Sequence, residues 1–287
     1  MDSHYPTRNV PIRSISLSLA DVKQIFDRLQ PIISKEGDDK VAELVKPPES
    51  TEEQWAARKV EIKSNAFRIT VTIQGQNGDD LFGDTSSMFT SPNLPHGVSD
   101  VYMTNATAFK GWTGQQPLRL FELNLDFSKP RLLDSERIVS SPTPNQSYLK
   151  IQSDSDAWLA AVHEAVFGVL EHKRVKRKFI HRAFVYDFGL MVVGLPLAFY
   201  LASKSSTYAA NTFGPTNGFL IAAFYVYLIS LVIWAYRILF GYTKWIFPSV
   251  ELKESSSSTL GHRLFWGAIT VGVFGNLAYD LIRNLWH

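Results

Sequence analysis

Lys173-Arg174-Val175-Lys176-Arg177-Lys178-Phe179-Ile180-His181-Arg182 carries six positive charges and no acid, and it stands directly before residues 183–203, whose only formal charge is Asp187. At about 1.5 Å per residue, that apolar stretch is long enough to cross a hydrocarbon core of about 30 Å. Lys and Arg beside a span stay on the cytoplasmic side. The junction therefore splits the chain into a water-soluble domain, 1–171, a basic juxtamembrane collar, 172–182, and a membrane region, 183–287.

Charge follows the same division. The whole chain has a net charge of +2, but residues 1–171 sum to −6, the collar to +6 and residues 183–287 to +2. An anionic inner leaflet repels the acidic head and attracts the collar, by roughly 1 kcal/mol per Lys or Arg. Lys173, Arg174, Lys176, Arg177, Lys178 and Arg182 are therefore the expected lipid headgroup contacts. An acidic head also argues against nucleic acid as a partner. The chain has no cysteine, which excludes disulfides, thiolate metal sites and a cysteine nucleophile. The first 25 residues carry no signal-peptide pattern, because Ile12 to Ala20 is interrupted by Arg13 and three serines.

Two further segments complete a membrane region of three spans, at about 183–203, 218–240 and 262–283. Gly218 to Tyr236 is uncharged and rich in Phe, Tyr, Leu and Ile. Leu264 to Tyr279 is uncharged but short, about 24 Å as a helix, so an interfacial or re-entrant helix is its alternative. Residues 204–217 read as a short outer loop, and Ser255 to Ser258 as a tether between the second and third segments. With the head inside, Lys244, Lys253 and Arg263 join the collar on the inner flanks, and only Lys204 and Arg283 lie outside. Trp245, Trp266 and Trp286 stand near segment ends, as interfacial anchors do.

The head reads as α+β. One strand is expected over 10–17, followed by a helix capped by Ser18 with Asp21 three residues on. Leu19, Val22, Ile25, Phe26 and Leu29 form its apolar stripe, and Pro31 should end or kink it near Leu29. Residues 59–63 alternate like a strand, with a hairpin turn at Ser64-Asn65. Phe67, Ile69, Val71 and Ile73 alternate with Arg68, Thr70 and Thr72, the pattern of a sheet with one buried face. Strands are expected over 98–109 and 118–127, the latter with Phe121, Leu123, Leu125 and Phe127 inward and a bulge between Leu120 and Phe121, and a short one over 147–151. A second helix opens at Ser153-Asp154-Ser155-Asp156 and buries Trp158, Leu159, Val162, Val166 and Val169. The expected head is thus an antiparallel sheet in β-α-β(n)-α order with both helices on one face. At the level of element order this resembles the helix-grip and TATA-box-binding-protein-like folds.

No P-loop, dinucleotide-binding glycine fingerprint, HExxH or GxSxG occurs. The turn 74–80 with Asp84 lacks EF-hand spacing and reads as a solvated loop. His96 and His163 have no catalytic partner in sequence. No catalytic residue, metal site or cofactor is therefore expected. Intramembrane charge is more informative, because burying it is costly unless it is paired. Asp187 and Arg237 enter the bilayer from the same side on antiparallel neighbours and form the expected membrane charge pair. Gly267, Ala268, Gly272 and Gly275 give the third segment a face of small residues suited to helix packing, within the monomer or in a homo-oligomer.

The expectation is a non-enzymatic protein of a bacterial inner membrane, N-terminus cytoplasmic and C-terminus outside. Its cytosolic domain binds a ligand or protein partner, and its membrane region anchors or transduces. One alternative is an oligomerising membrane effector or pore former triggered through the head. Another is a membrane-bound enzyme with a site assembled from scattered residues.

Overall fold

The computed structural model describes residues 5–130, 143, 145–255 and 259–268. The chain divides into two compact units: one draws on the chain up to Ser128, on Asn145–Val175 and on the chain from Val250 onward, the other on Lys129–Pro144 and Lys176–Ser249.

The first unit is a mixed α+β domain. Its strands are β1 (Thr7–Pro11), β2 (Ile15–Leu17), β3 (Thr70–Gly75), β4 (Asp80–Gly83), β5 (Val98–Thr104), β6 (Leu120–Asp126), β7 (Tyr148–Gln152) and β8 (Val250–Leu252). Six of them form an antiparallel sheet ordered β1-β7-β6-β5-β3-β4. Its helices are α1 (Leu19–Glu43), α2 (Glu52–Ala66), α3 (Ala106–Thr113) and α4 (Asp156–Leu170).

The pleat sorts side chains by parity, and register aligns them. Val71 and Met103, Ile73 and Val101, Met103 and Leu123, Val101 and Leu125, and Phe121 and Ile151 are cross-strand partners. All are fully buried, in one cluster with Val22, Ile25, Leu29 and Ile33 of α1 and Leu159, Val162 and Val166 of α4. The alternation that the sequence shows over 67–73 and 121–127 is this buried face.

Several elements differ from the sequence expectation. The strand expected over 10–17 breaks at Ile12–Ser14, where Ser14 takes a left-handed φ of 58°. β1 then edges the large sheet and β2 leaves it. Helix α1 does not stop before Pro31 but runs to Glu43. Proline removes one helical hydrogen bond, yet Ile33 and Val41 continue the buried stripe beyond it and offset that loss. Residues 59–63 are not a strand but lie in α2, which a reciprocal Thr51–Gln54 capping box starts. The strand expected over 98–109 ends at Thr104. Asn105 then accepts from Phe121 N–H at 3.0 Å and donates to the Arg119 carbonyl at 2.8 Å, turning the chain into α3. No bulge interrupts β6. The register shift falls at Gln74/Gly75 instead.

In the second unit, two helical stretches, Phe184–Lys204 and Gly218–Ile246, are long and apolar enough to cross a membrane. Only 11 % and 0 % of their most apolar windows are buried in the protein, so neither is the core helix of a soluble domain. The first comprises α5 (Ala183–Gly189), a π-turn (Leu190–Gly194) and α6 (Leu195–Lys204), with Pro196 just past the widened turn. The outer loop expected over 204–217 contains a further helix, α7 (Ser206–Phe213). The second stretch is α8 (Gly218–Ile246), about 43 Å long and so able to span with tilt.

Between the second and third expected spans, β8 pairs in parallel with β2. Of the expected tether, 256–258 lie outside the described residues. Of the third segment, 259–268 is helical, and the rest lies outside them.

Candidate functional site

Three stretches of chain meet at β2. Ile15, Ser16 and Leu17 pair with Val250, Glu251 and Leu252. On the other side, Val175 N–H donates to the Ser14 carbonyl at 2.8 Å, and Arg174 bridges Ile15. Residues 174–175 are the last of the head before the first apolar stretch. Residues 250–252 are the first after the second. Both connectors of the hairpin therefore end on one three-residue strand.

The start of α1 tightens this junction. Ser18 and Asp21 form a reciprocal capping box. Lys173 Nζ lies 2.8 Å from Asp21, and Leu19 N–H donates to Glu254 Oε1 at 3.0 Å. Burial pushes the Asp21 carboxyl up, but the bonds from Lys173 and Ser18 outweigh it and hold the group below the usual carboxylate range. Glu251, 5 % exposed in the middle of β8, forms an ion pair with Arg263 on the helix over 259–268. The segment after the second apolar helix is thus fixed by a strand pairing, a helix cap and a buried charge pair.

The polar face of the large sheet is the other candidate surface. Register places Phe82, Thr72, Tyr102, Asn124 and Tyr148 in one row across five strands. Beside it, Glu122 pairs with Lys150 at 3.2 Å. Burial, then Glu122 and Tyr148, push the Tyr102 phenol up to about 12. Burial, then the neighbouring Asp126 carboxylate, raise Asp100 to about 6. Phe82 is 63 % exposed. Two phenols, an amide, an ion pair and two carboxylates thus share a half-buried face that can donate, accept and stack. Among the described residues no group of three His, Cys, Asp or Glu is placed to hold a metal. Asp84 is taken by Arg68 at 2.5 Å, and His163 stacks on Phe167.

The site residues expected from sequence fall as follows. Lys173 pairs with Asp21 and Arg174 with Glu171, at 2.8 and 3.4 Å. Lys176 and Arg182 are exposed, while Arg177 and Lys178 lie in the short 3₁₀ turn Lys176–Phe179. Asp187 is exposed on α5, and Arg237 is half-buried on α8. Their chain neighbours touch: the Tyr186 and Tyr236 ring centroids are 5.5 Å apart, and Tyr236 donates to the Tyr186 carbonyl at 3.2 Å. Glycine permits this approach, because a Cβ on Gly189 would overlap the Tyr236 hydroxyl. Gly267 and Ala268 are exposed at the end of the described helix, with open space where a Gly267 Cβ would stand. Gly272 and Gly275 lie outside the described residues.

Within the second unit, His181 bridges the chain on either side of the hairpin. Its Nε2–H donates to the Phe247 carbonyl at 2.7 Å, which leaves Nδ1 facing the Thr143 hydroxyl at 2.8 Å. Sequence reasoning gave Glu251 and Glu254 no role, and read His181 only as part of the collar and Arg263 only as an inner-flank charge. The strand signal at 250–252 is three residues long, too short to stand out from a linker.

These features define a class only: an α+β domain in a chain that also carries a pair of helices apolar enough for a bilayer. Comparison with known proteins adds nothing further, since no family model, no curated protein and no solved structure matches the chain.

Proposed function

We propose that this chain is a membrane-anchored, non-enzymatic binding protein. Its head takes a ligand or protein partner, and its membrane region anchors it or transmits the binding event. The observation that supports transmission is the junction at β2, where both connectors of the apolar hairpin end. Force or displacement at either connector acts on β2 and on the start of α1. The polar sheet face is the surface we assign to the partner. The reading extends to a head and N-terminus in the cytoplasm of a bacterial cell, domains as divided by the collar, a third span from about 262 to 283, and a C-terminus outside.

The collar and the charge bias support that orientation. With the chain free of native cysteine, single-cysteine variants test it directly. A membrane-impermeant thiol reagent added to intact cells should label Ser206→Cys and His287→Cys but not Ser256→Cys. Replacing Lys176, Arg177, Lys178 and Arg182 together by Gln should expose Ser256→Cys in a fraction of molecules. Labelling of Ser256→Cys but not Ser206→Cys in the parent background rejects the topology. Protection of His287→Cys removes the third span.

Asp187 and Arg237 are proposed as partners at one depth of the hairpin, as the Tyr186–Tyr236 contact between their neighbours suggests. Asp187→Asn and Arg237→Gln should each lower the thermal midpoint in detergent, and the double variant should lose less than the two losses added. Strictly additive losses dissolve the pair.

A second reading is favoured by the exposed Leu260, Leu264, Phe265 and Gly267 on the helix over 259–268. That face suits self-association into a pore-forming assembly triggered through the head. Oligomeric state in detergent, with and without a cell extract as ligand source, separates the two. A monomer under both conditions supports the anchored binder, and a ring formed only with extract supports the pore.

A further inference from the structure

Glu36 lies on α1, 6 % exposed, and its Oε2 has no hydrogen-bond partner. Across from it, the indole N–H of Trp158, at the start of α4, is also buried; it makes no well-formed hydrogen bond, but it lies close enough to the carboxyl to favour its ionised form. Isolated charge is costly in such a place, and a neutral acid is not. The groups that act on Glu36 are few. Arg119 and Lys40 favour its ionised form, as does the Trp158 indole, and Asp154 opposes it. Arg119 is largely spent on Asp154, at 2.7 Å. On α2, Lys63 is taken by Asp38 at 2.5 Å. Burial outweighs the favourable groups and raises the carboxyl to about 7.

We infer that Glu36 is a proton-sensing switch that sets how firmly α1 is held against α4, and through α1 the state of the β2–β8 junction. Protonated, Glu36 is a neutral acid that fits the α1–α4 interface. On losing its proton to water, it places a carboxylate there without adequate partners, and α1 loosens. The start of the same helix is held by Lys173 through Asp21 and by Glu254 at Leu19 N–H. The loosening is therefore felt where both connectors arrive. The signal is cytoplasmic pH, which gives the binding protein proposed above an input besides its partner.

The sign follows from linkage. A carboxyl raised in the folded state contributes stability fully below its unfolded value of 4.5 and loses it as pH rises through about 7. Between pH 6 and pH 8 the opening equilibrium should therefore rise by about tenfold. The test is amide hydrogen exchange on the full chain in detergent, corrected for the intrinsic pH dependence of exchange. Residues 19–43 and 250–254 should lose about tenfold protection between pH 6 and pH 8. Glu36→Gln should hold its protection at both pH values. Glu36→Met, which fills a similar volume without a titratable group, should do the same and covers the case that Gln folds poorly. An unchanged pH response in either folded variant, or none in the parent chain, overturns the switch. A response confined to 19–43 that spares 250–254 overturns the coupling to the junction. Unlike these readouts, loss of partner binding in any variant bears on the binding reading alone.

Discussion

Glu251→Ala should lower the stability of the head by about 3–5 kcal/mol, because it leaves Arg263 charged and largely out of water. The Glu251 side chain is 6 % exposed and that of Arg263 19 %. Arg263→Ala should cost a similar amount for the mirror reason, removing the cation paired with the carboxylate in the middle of β8. The thermal midpoint of the head in detergent should fall by roughly 10 °C in each case, taking a few degrees per kcal/mol for a domain of this size. Replacing both partners by apolar residues, Glu251→Met with Arg263→Leu, should recover most of the loss, since both buried charges are then gone. Hydrogen exchange localises the effect: 250–252 should lose protection in the single variants before the central strands do. Single variants as stable as the parent would show that the pair does not fix β8. Losses that add in the double variant would show that the two residues act separately.

The second large effect concerns the core of the head. Phe121 is fully buried, with Asn105 holding its backbone N–H from one side and Ile151 opposite it on β7. Phe121→Ala should cost about 3–5 kcal/mol through lost burial and the cavity left behind. For a domain whose total stability is of order 5–15 kcal/mol, that is a large share. The head should therefore unfold at far lower denaturant, while α8 keeps its helix. The core around Phe121 contains no residue of the apolar hairpin, and the two units are separately compact. Segment-resolved hydrogen exchange checks both halves of this statement. Equal loss of protection in α8 and in β5–β7 would mean that the units do not fold independently.

Much of the head was legible because its signals are local. Ser18 and Ser155 stand before apolar stripes and cap α1 and α4. The alternation from Phe121 to Phe127 survives as a strand with the expected face inward. Errors arose where a local pattern had two solutions. Val60 and Ile62 fit either a strand or a helix, and the Thr51–Gln54 capping box favours the helix. Pro31 carries a real helix penalty, but the burial of Ile33 and Val41 offsets it, and burial is a property of the fold. Glu36 gave no signal at all: in sequence it sits in an acidic, polar stretch like any solvated residue. Only the packing of α1 against α4 buries it.

By itself the sequence determined the two apolar hairpin helices, because partition between water and hydrocarbon depends on side-chain composition over a window of about 20 residues. It determined the caps and the buried strand faces for the same local reason. The tertiary structure decided the rest. It took residues 250–254, which carry no strand signal of their own in the sequence, and bound them to Ile15–Leu17 and to Leu19, 235 positions away from Glu254. A pairing over that distance pays off only once the head has formed β2 and the hairpin has returned the chain beside it, so no window of sequence contains it. The same holds for Tyr102 and Tyr148, which are ordinary strand residues until register sets them in one row with Asn124 between them.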